Sequence, residues 1–314
     1  MTQGCLVSDV NNDAVLVSDE VADALADGTP VVALESTIFS NLGLPAPHNG
    51  EAYRRCTEAI WAGGGVPALT TVLDGRARVG IVGDELERVL ACSKKVASRE
   101  LPVAIGLGWE AGVTTVSASL ALAAEAGIKV FATGGIGGVH RGSETSGDIS
   151  ADLDALARYP VGCVSAGAKA FLDLARTLEY LETKGVPVVG VGTDYFPAFY
   201  TRSSGLDVPV RVESAVEAAS ILAAGEAVGY RGGVLFAVPI PEGDALDEER
   251  LDAALDGALR DVNAAGLTGP AVTPFVLGRI MDATDGRSIP ANLALAENNA
   301  HVGVAIAAAL SGRG

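Results

Sequence analysis

The sequence predicts an α/β fold in which a largely parallel sheet is covered by helices on both faces (α/β/α). Short apolar runs alternate with helix-like segments along nearly all of the 314 residues, the order that builds a parallel sheet from strand–helix–strand units. The run at 31–34 is continuously apolar and that at 161–165 is apolar up to its last residue, Ser165, as expected of strands buried on both faces. No linker, internal repeat or low-complexity stretch interrupts them, so the chain reads as one domain over residues 1–314.

Residues 1–17 show no clear period and read as a loose N-terminal arm. Segment 18–26 is a helix: Ser18 caps it, Asp19 and Glu20 suit its positive end, and Gly28 follows its close. Strand 31–34 leads into Glu35, Ser36 and Thr37. A carboxylate at the end of a buried strand is costly unless paired, and in open α/β sheets that end faces the ligand crevice. Glu35 is therefore a site candidate, or else a simple cap. Pro45 and Pro47 mark 40–49 as a loop. A helix over 51–62 ends at Gly63, and strand 66–73 turns through Asp74-Gly75 into 77–82. Helix 85–91, strand 103–106 and helix 114–126 follow. After strand 130–132 and a glycine-rich loop come helix 150–158 and strand 161–165. The next helix begins within 165–172 and continues to 183. Strand 187–191, an aromatic and Ser/Gly-rich loop at 196–207, helix 213–224 and strand 233–238 come next. Helix 246–265, a helix start at Thr273-Pro274 and an alanine-rich helix 292–311 complete the chain.

Hydrophobic residues make up 49% of the chain and charged residues 19%, ample for a large core. The net charge of −17 argues against nucleic acid as a partner, because a phosphate backbone demands clustered Lys and Arg. Cys5, Cys56, Cys92 and Cys163 are too widely spaced for a zinc pattern or a dense disulfide framework. They read as reduced thiols of a cytoplasmic protein. No signal peptide is expected, and no uninterrupted apolar run reaches the roughly 18 residues of a membrane span.

The chemistry concentrates between Val130 and Asp152. Five glycines between 134 and 142 let backbone N–H groups approach an anion, and the loop carries His140 and Arg141. Three acids follow, Glu144, Asp148 and Asp152, and carboxylates four residues apart offer oxygen ligands to Mg²⁺ or Mn²⁺. The plainer reading is a strand–helix connection with a solvated acidic helix start. The loop is neither G-x-G-x-x-G, since position 140 is histidine, nor a Walker loop, since Ser143 follows Gly142. Lys94, Lys95 and Arg99 form a cation run, either a solvated face or a phosphate clamp. Lys169 sits where a strand becomes a helix in apolar surroundings. Desolvation and the helix's positive end would favour a neutral, nucleophilic amine there, although a snorkelling surface lysine fits the same residues.

Several phrases carry a family resemblance: V-A-L-E-S-T-I at 32–38, V-F-A-T-G-G-I-G-G-V-H-R-G at 130–142, D-I-S-A-D-L at 148–153, S-A-G-A-K at 165–169, L-E-T-K-G-V-P at 181–187 and P-I-P-E at 239–242. From about residue 18 onward the chain resembles the pseudouridine-5′-phosphate glycosidases, also called the indigoidine synthase A-like family. The resemblance implies that family's α/β/α fold and reversible cleavage of pseudouridine 5′-phosphate to uracil and ribose 5-phosphate. It also implies a divalent metal, Mn²⁺ with Mg²⁺ as the substitute, a covalent lysine adduct and a homotrimer. Carried over by motif, Lys169 is the nucleophile, Glu35 the proton donor and Asp148 the metal ligand. Lys95, Val116, Ser150, Ala151 and Asp152 contact substrate, and Thr133, His140 and Arg141 in the glycine-loop phrase join them. A lysine-dependent aldolase on another sugar phosphate, or a non-catalytic accessory protein, would share much of this pattern. Two departures stand near the implied site: E-S-T-I-F-S-N-L-G-L-P is one residue longer than the family phrase, with Asn41 near a histidine's place, and Val238 replaces an Asn before P-I-P-E.

Overall fold

The computed structural model describes residues 14–267 and 272–312. The strands are β1 (Val15–Val17), β2 (Val31–Leu34), β3 (Val66–Leu73), β4 (Arg76–Val79), β5 (Lys95–Val96), β6 (Ala111–Thr114), β7 (Val130–Ala132), β8 (Gly162–Ser165), β9 (Val188–Val191), β10 (Val210–Val212) and β11 (Val234–Ala237). The helices are α1 (Asp19–Asp27), α2 (His48–Ala62), α3 (Glu85–Ala91), α4 (Leu101–Gly106), α5 (Val116–Glu125), α6 (Ser143–Ser146), α7 (Ala151–Arg158), α8 (Leu174–Thr183), α9 (Ala215–Ala227), α10 (Glu248–Ala264), α11 (Val272–Ala283) and α12 (Ser288–Ser311).

The main sheet runs in the order β3-β2-β7-β8-β11-β9-β10, and every neighbouring pair in it is parallel. The largely parallel α/β sheet that the apolar runs predict is therefore present. Its second half of β3 leaves the slab and pairs antiparallel with β4 and β6, while β5 joins β6 in parallel. The Asp74-Gly75 turn makes the β3–β4 hairpin with both residues at positive φ, 52° and 68°, the geometry that a two-residue hairpin turn requires. Ser18 caps α1 by accepting the Val21 N–H, and Gly28 closes it in the left-handed conformation.

One contiguous apolar cluster fills the interior. Helix α12 lies on β2, β7 and β8 and packs against α2 and α9, while α5 and α7 pack on each other and α5 also meets β2, β3 and β7. By length and composition α12 could cross a membrane, but 56% of its most apolar window is buried within this fold. It is a core helix whose alanines let it approach the sheet.

Several boundaries depart from the sequence expectation. Residues 15–17 are not loose: they form β1, zipped parallel to β4, and residues 1–13 lie outside the described part. Residues 103–106 are not a strand but most of α4. Pro102 takes an early position in that helix, where no N–H is needed, and Glu100 accepts the Ala97 N–H at its entrance. The short strand is instead β5, in the cation run, and β6 and β10 were hidden by their brevity. Helix α8 begins at Leu174, capped by Asp173, so residues 166–173 are a loop. Lys169 therefore precedes the helix by several residues and does not sit on its positive end.

Helix α12 also ties down the glycine-rich loop. Asn299, fully buried, donates from Nδ2 to Thr133 O at 2.7 Å and to Gly134 O at 3.2 Å. Asn299→Leu keeps the branched outline and strands both carbonyls, so urea denaturation should show a loss of about 1–3 kcal/mol. An unchanged midpoint would show that water satisfies those carbonyls instead.

Candidate active site

The crevice lies beyond the carboxyl ends of the adjacent strands β2, β7 and β8, which deliver Glu35, Thr133 and the 165–173 loop. A hydroxyl network locks the first of these turns. Thr114 N–H donates to Ser36 Oγ at 2.8 Å, Thr114 Oγ1 donates to Thr70 O at 2.7 Å, and Thr37 Oγ1 donates to Thr114 O at 2.7 Å. Thr70 Oγ1 lies 3.0 Å from Leu34 O and 2.8 Å from Ser119 Oγ. Ser36, Thr70, Thr114 and Ser119 are all fully buried. Five hydroxyls, counting Thr37, thus fix the peptides on either side of Glu35 to β3, β6 and α5.

Glu35 itself is 8% exposed, and Thr133 Oγ1 donates to its Oε1. Burial pushes its carboxyl up to about 7, and Asp152 adds to the rise. Lys169, the Thr133 hydroxyl and Lys95 oppose it. These influences place Lys169, Asp152 and Lys95 around Glu35. Lys169 is half-buried, and its backbone N–H donates to Ile136 O at 3.1 Å, while Ile136 N–H donates to Gly167 O at 3.0 Å. The lysine loop and the glycine loop are thereby stitched together.

Asp152 joins three elements. Its Oδ1 accepts the Ser117 N–H of α5 and its Oδ2 the Gly137 N–H of the glycine loop, both at 2.9 Å, and Ser150 caps α7 from the adjoining turn. The N-termini of α5 and α7, with Val116, Ser150 and Ala151, therefore open side by side. Gly137 must be glycine: a Cβ there would lie 2.2 Å from Ser150 Oγ and 2.9 Å from Asp152 Oδ2. With both oxygens bonded to backbone, Asp152 acts first as a bracket.

The cation run divides by function. Lys94 sits over the Trp109 ring, 3.3 Å from its centroid, and Arg99 pairs with Glu100. Lys95, on β5, keeps an exposed side chain at the rim of the site. Partial desolvation, then Lys169, hold its ammonium below the ordinary value, and Asp152 partly restores it.

The acids of the glycine loop also separate. Glu144 pairs with Arg176 at 2.8 Å, away from the crevice. Asp148 is half-exposed, with Oδ2 3.8 Å from His140 Nδ1, and its backbone carbonyl accepts the His140 N–H at 3.1 Å. Burial pushes the His140 imidazole down, Asp148 opposes, and Lys169 and Lys95 reinforce the fall. Among the described residues no three His, Cys, Asp or Glu side chains converge as a metal cluster. One free carboxylate beside an imidazole fits a hard cation that keeps most of its shell as water and substrate oxygens. Arg141 is exposed and lines a neighbouring cleft of about 660 Å³, with Ala170, Thr201 and Ser203, on the other side of the lysine loop.

The two family departures resolve differently. Asn41 is exposed and donates to Ala91 O at 3.0 Å, so it tethers the loop to α3 rather than entering the crevice. Val238 is buried under the lysine loop, its N–H donating to Ser165 O at 2.8 Å. Cys56, Cys92 and Cys163 are free and buried, and burial holds the Cys163 thiol far above its usual range. Sequence reasoning missed the hydroxyl network and Asn292 and Asn299. The two asparagines left a signal, as amides on an otherwise alanine-rich helix.

A raised Glu35 costs stability once the unfolded chain ionises. The penalty is absent below pH 4.5, grows as pH rises toward 7, and is constant above. Glu35→Gln should therefore gain on the parent by on the order of 3 kcal/mol between pH 4.5 and 8. Urea melts at the two pH values measure this, and a gap that does not move with pH would show that Glu35 ionises normally.

Comparison with known proteins finds relatives over almost the whole chain. The chain is 50% identical over 303 residues to the pseudouridine-5′-phosphate glycosidase of Caldanaerobacter subterraneus subsp. tengcongensis, covering 96% of this chain and 98% of that protein. It is 49% identical to the protein of the same name from Methylobacterium nodulans, covering 93% and 87%. Among solved structures, the prealnumycin C-glycosynthase AlnA in complex with ribulose 5-phosphate superposes with a TM-score of 0.88 at 37% identity, covering 96% of this chain and 98% of that one. An indigoidine synthase A-like protein from Thermotoga maritima gives 0.86 at 33% identity with the same coverage. Residues 20–309 match the model of the family described as indigoidine synthase A like protein, and the chain belongs to that family.

Proposed function

We propose that the chain is a pseudouridine-5′-phosphate glycosidase that reversibly cleaves the C–C glycosidic bond, giving uracil and ribose 5-phosphate. The observation that carries this reading is the pairing of a buried carboxylic acid, Glu35, held at about 7, with a half-buried lysine at the same crevice. The names of relatives about half identical to the chain supply the substrate. The likeness to a C-glycosynthase supports chemistry at a C-glycosidic bond.

Uracil bonded through carbon is a poor leaving group, because no heteroatom receives the bonding electrons. A covalent route divides the difficulty. Glu35, protonated for part of the time at neutral pH, gives its proton to the ribose ring oxygen as the C1′–O bond breaks, and uracil electrons form a double bond to C1′. The Lys169 amine adds to C1′ and returns those electrons to the ring. Protonation of uracil C5 then lets the C1′–C5 bond break, the nitrogen lone pair forming an imine to Lys169. Water hydrolyses the imine to ribose 5-phosphate and frees the amine. Lys95, with the paired N-termini of α5 and α7, supplies positive potential for the phosphate. Thr133 holds Glu35 in place.

Asp148 is the protein ligand for the divalent cation, Mn²⁺ with Mg²⁺ as the alternative, and His140 flanks it. Such a cation, when bound, orients substrate oxygens and offsets their charge. The reading includes a homotrimer acting in the cytoplasm, in keeping with the free, buried thiols.

The direct test is uracil release from pseudouridine 5′-phosphate, with Mn²⁺ and with chelator. Release should require the metal, and Lys169→Ala should fall below about one-thousandth of the parent rate. Near-parental turnover of the variant would remove Lys169 from the mechanism. Borohydride trapping of ribose 5-phosphate on the parent, without any uracil exchange, would favour an aldolase.

A further inference from the structure

The loop carrying Lys169 is gripped from two sides, and only one grip belongs to the glycine loop. On the far side, Ala166 O accepts the Phe199 N–H at 3.0 Å, and Gly167 forms an antiparallel bridge with Ala198. The approach is so close that a Cβ on Gly167, already at φ 77°, would lie 2.1 Å from Pro197 O. Phe199 has φ 64°, which a bulky L-residue adopts only where its surroundings impose it.

That backbone conformation sends the Phe199 ring onto Gly135. A Cβ at Gly135 would lie 2.4 Å from Phe199 Cδ2 and 3.2 Å from Gly167 O. The ring is 3% exposed and meets Tyr200 edge-on, with centroids 4.7 Å apart. The Tyr200 hydroxyl lies beside Asn292 and Ser288 of α12, and burial pushes it far up. A packed path therefore runs from the core helix through two aromatic rings to the junction of the glycine and lysine loops.

We propose that Phe199 is a positioning residue for Lys169: its left-handed backbone and its ring against Gly135 set the height at which the lysine loop presents the amine to C1′. The inference rests on Lys169 being the nucleophile. Phe199 is buried between Gly135 and Tyr200, so substrate binding should survive its loss. The rate of covalent addition should not, because attack is sensitive to displacements of about 1 Å.

Phe199→Gly deletes the ring while accepting φ 64° without strain, and Phe199→Leu serves if the glycine variant does not melt cooperatively. The expected result is a folded protein whose kcat falls on the order of 10²-fold with KM within about threefold of the parent. Borohydride trapping of the ribose 5-phosphate imine at Lys169 should slow in proportion. A merely structural ring would lower the melting temperature and leave kcat per folded molecule within about twofold, which would overturn the inference, as would a raised KM at unchanged kcat. Lys169→Ala is measured alongside. If that variant is inactive while Phe199→Gly is not, positioning alone fails. If Lys169→Ala is active, the nucleophile assignment fails and this inference with it.

Discussion

The site depends on one buried carboxylate, Asp152, whose two oxygens take backbone N–H groups from α5 and from the glycine loop. Both bonds are charge-assisted and shielded from water, which makes them stronger than exposed ones. The segments around Ser117 and Gly137 are held to the start of α7 by a single side chain. Without it the N-termini of α5 and α7 would have no reason to open toward the same space. Gly137 records the same constraint from the other side, since the room a side chain would occupy belongs to Ser150 and Asp152.

Around that bracket the charges are arranged against their usual preferences. Glu35 is buried deeply enough to retain a proton near neutrality, although Lys169 and Lys95 pull the other way. Lys95 is in turn held down first by partial desolvation and then by Lys169. At Glu35 desolvation outweighs pairing, which is the balance that a proton donor requires. The parallel sheet makes this possible. Its strand ends bring the groups together, and α12 seals the far face so that water does not relax the balance.

The fold class was legible because continuous apolar runs and their spacing are properties of the chain itself. The crevice was partly legible for the same reason: Glu35 and Lys169 stand at the ends of two such runs. What stayed hidden depends on neighbours. Lys169 read as the start of a helix because Ala, Lys and Leu are good helix formers, yet bridges to Ile136 and Ala198 override that tendency. Val103 to Gly106 read as a strand by composition, while Pro102 and Glu100 begin a helix there. The division of Lys94, Lys95 and Arg99 among a ring, the crevice and an ion pair could not be foreseen from three cations in a row.

The antiparallel excursion of β3 has a consequence for how such a protein can diverge. Lys95 rides on β5, which reaches the slab only through β6 and the outer half of β3. Glu35, Thr133 and Lys169 ride on the slab itself. The cation at the rim and the reacting groups are thus mounted on different strands, tied to each other by Thr114 of β6, which bonds Ser36 and Thr37 beside Glu35. Exchanges on β5 can alter which acidic groups are admitted as long as Thr114 keeps its hold on the Glu35 turn. A lineage that changes its substrate's charged end has β5 as its freer variable, while β6 and the seven-stranded slab stay bound together.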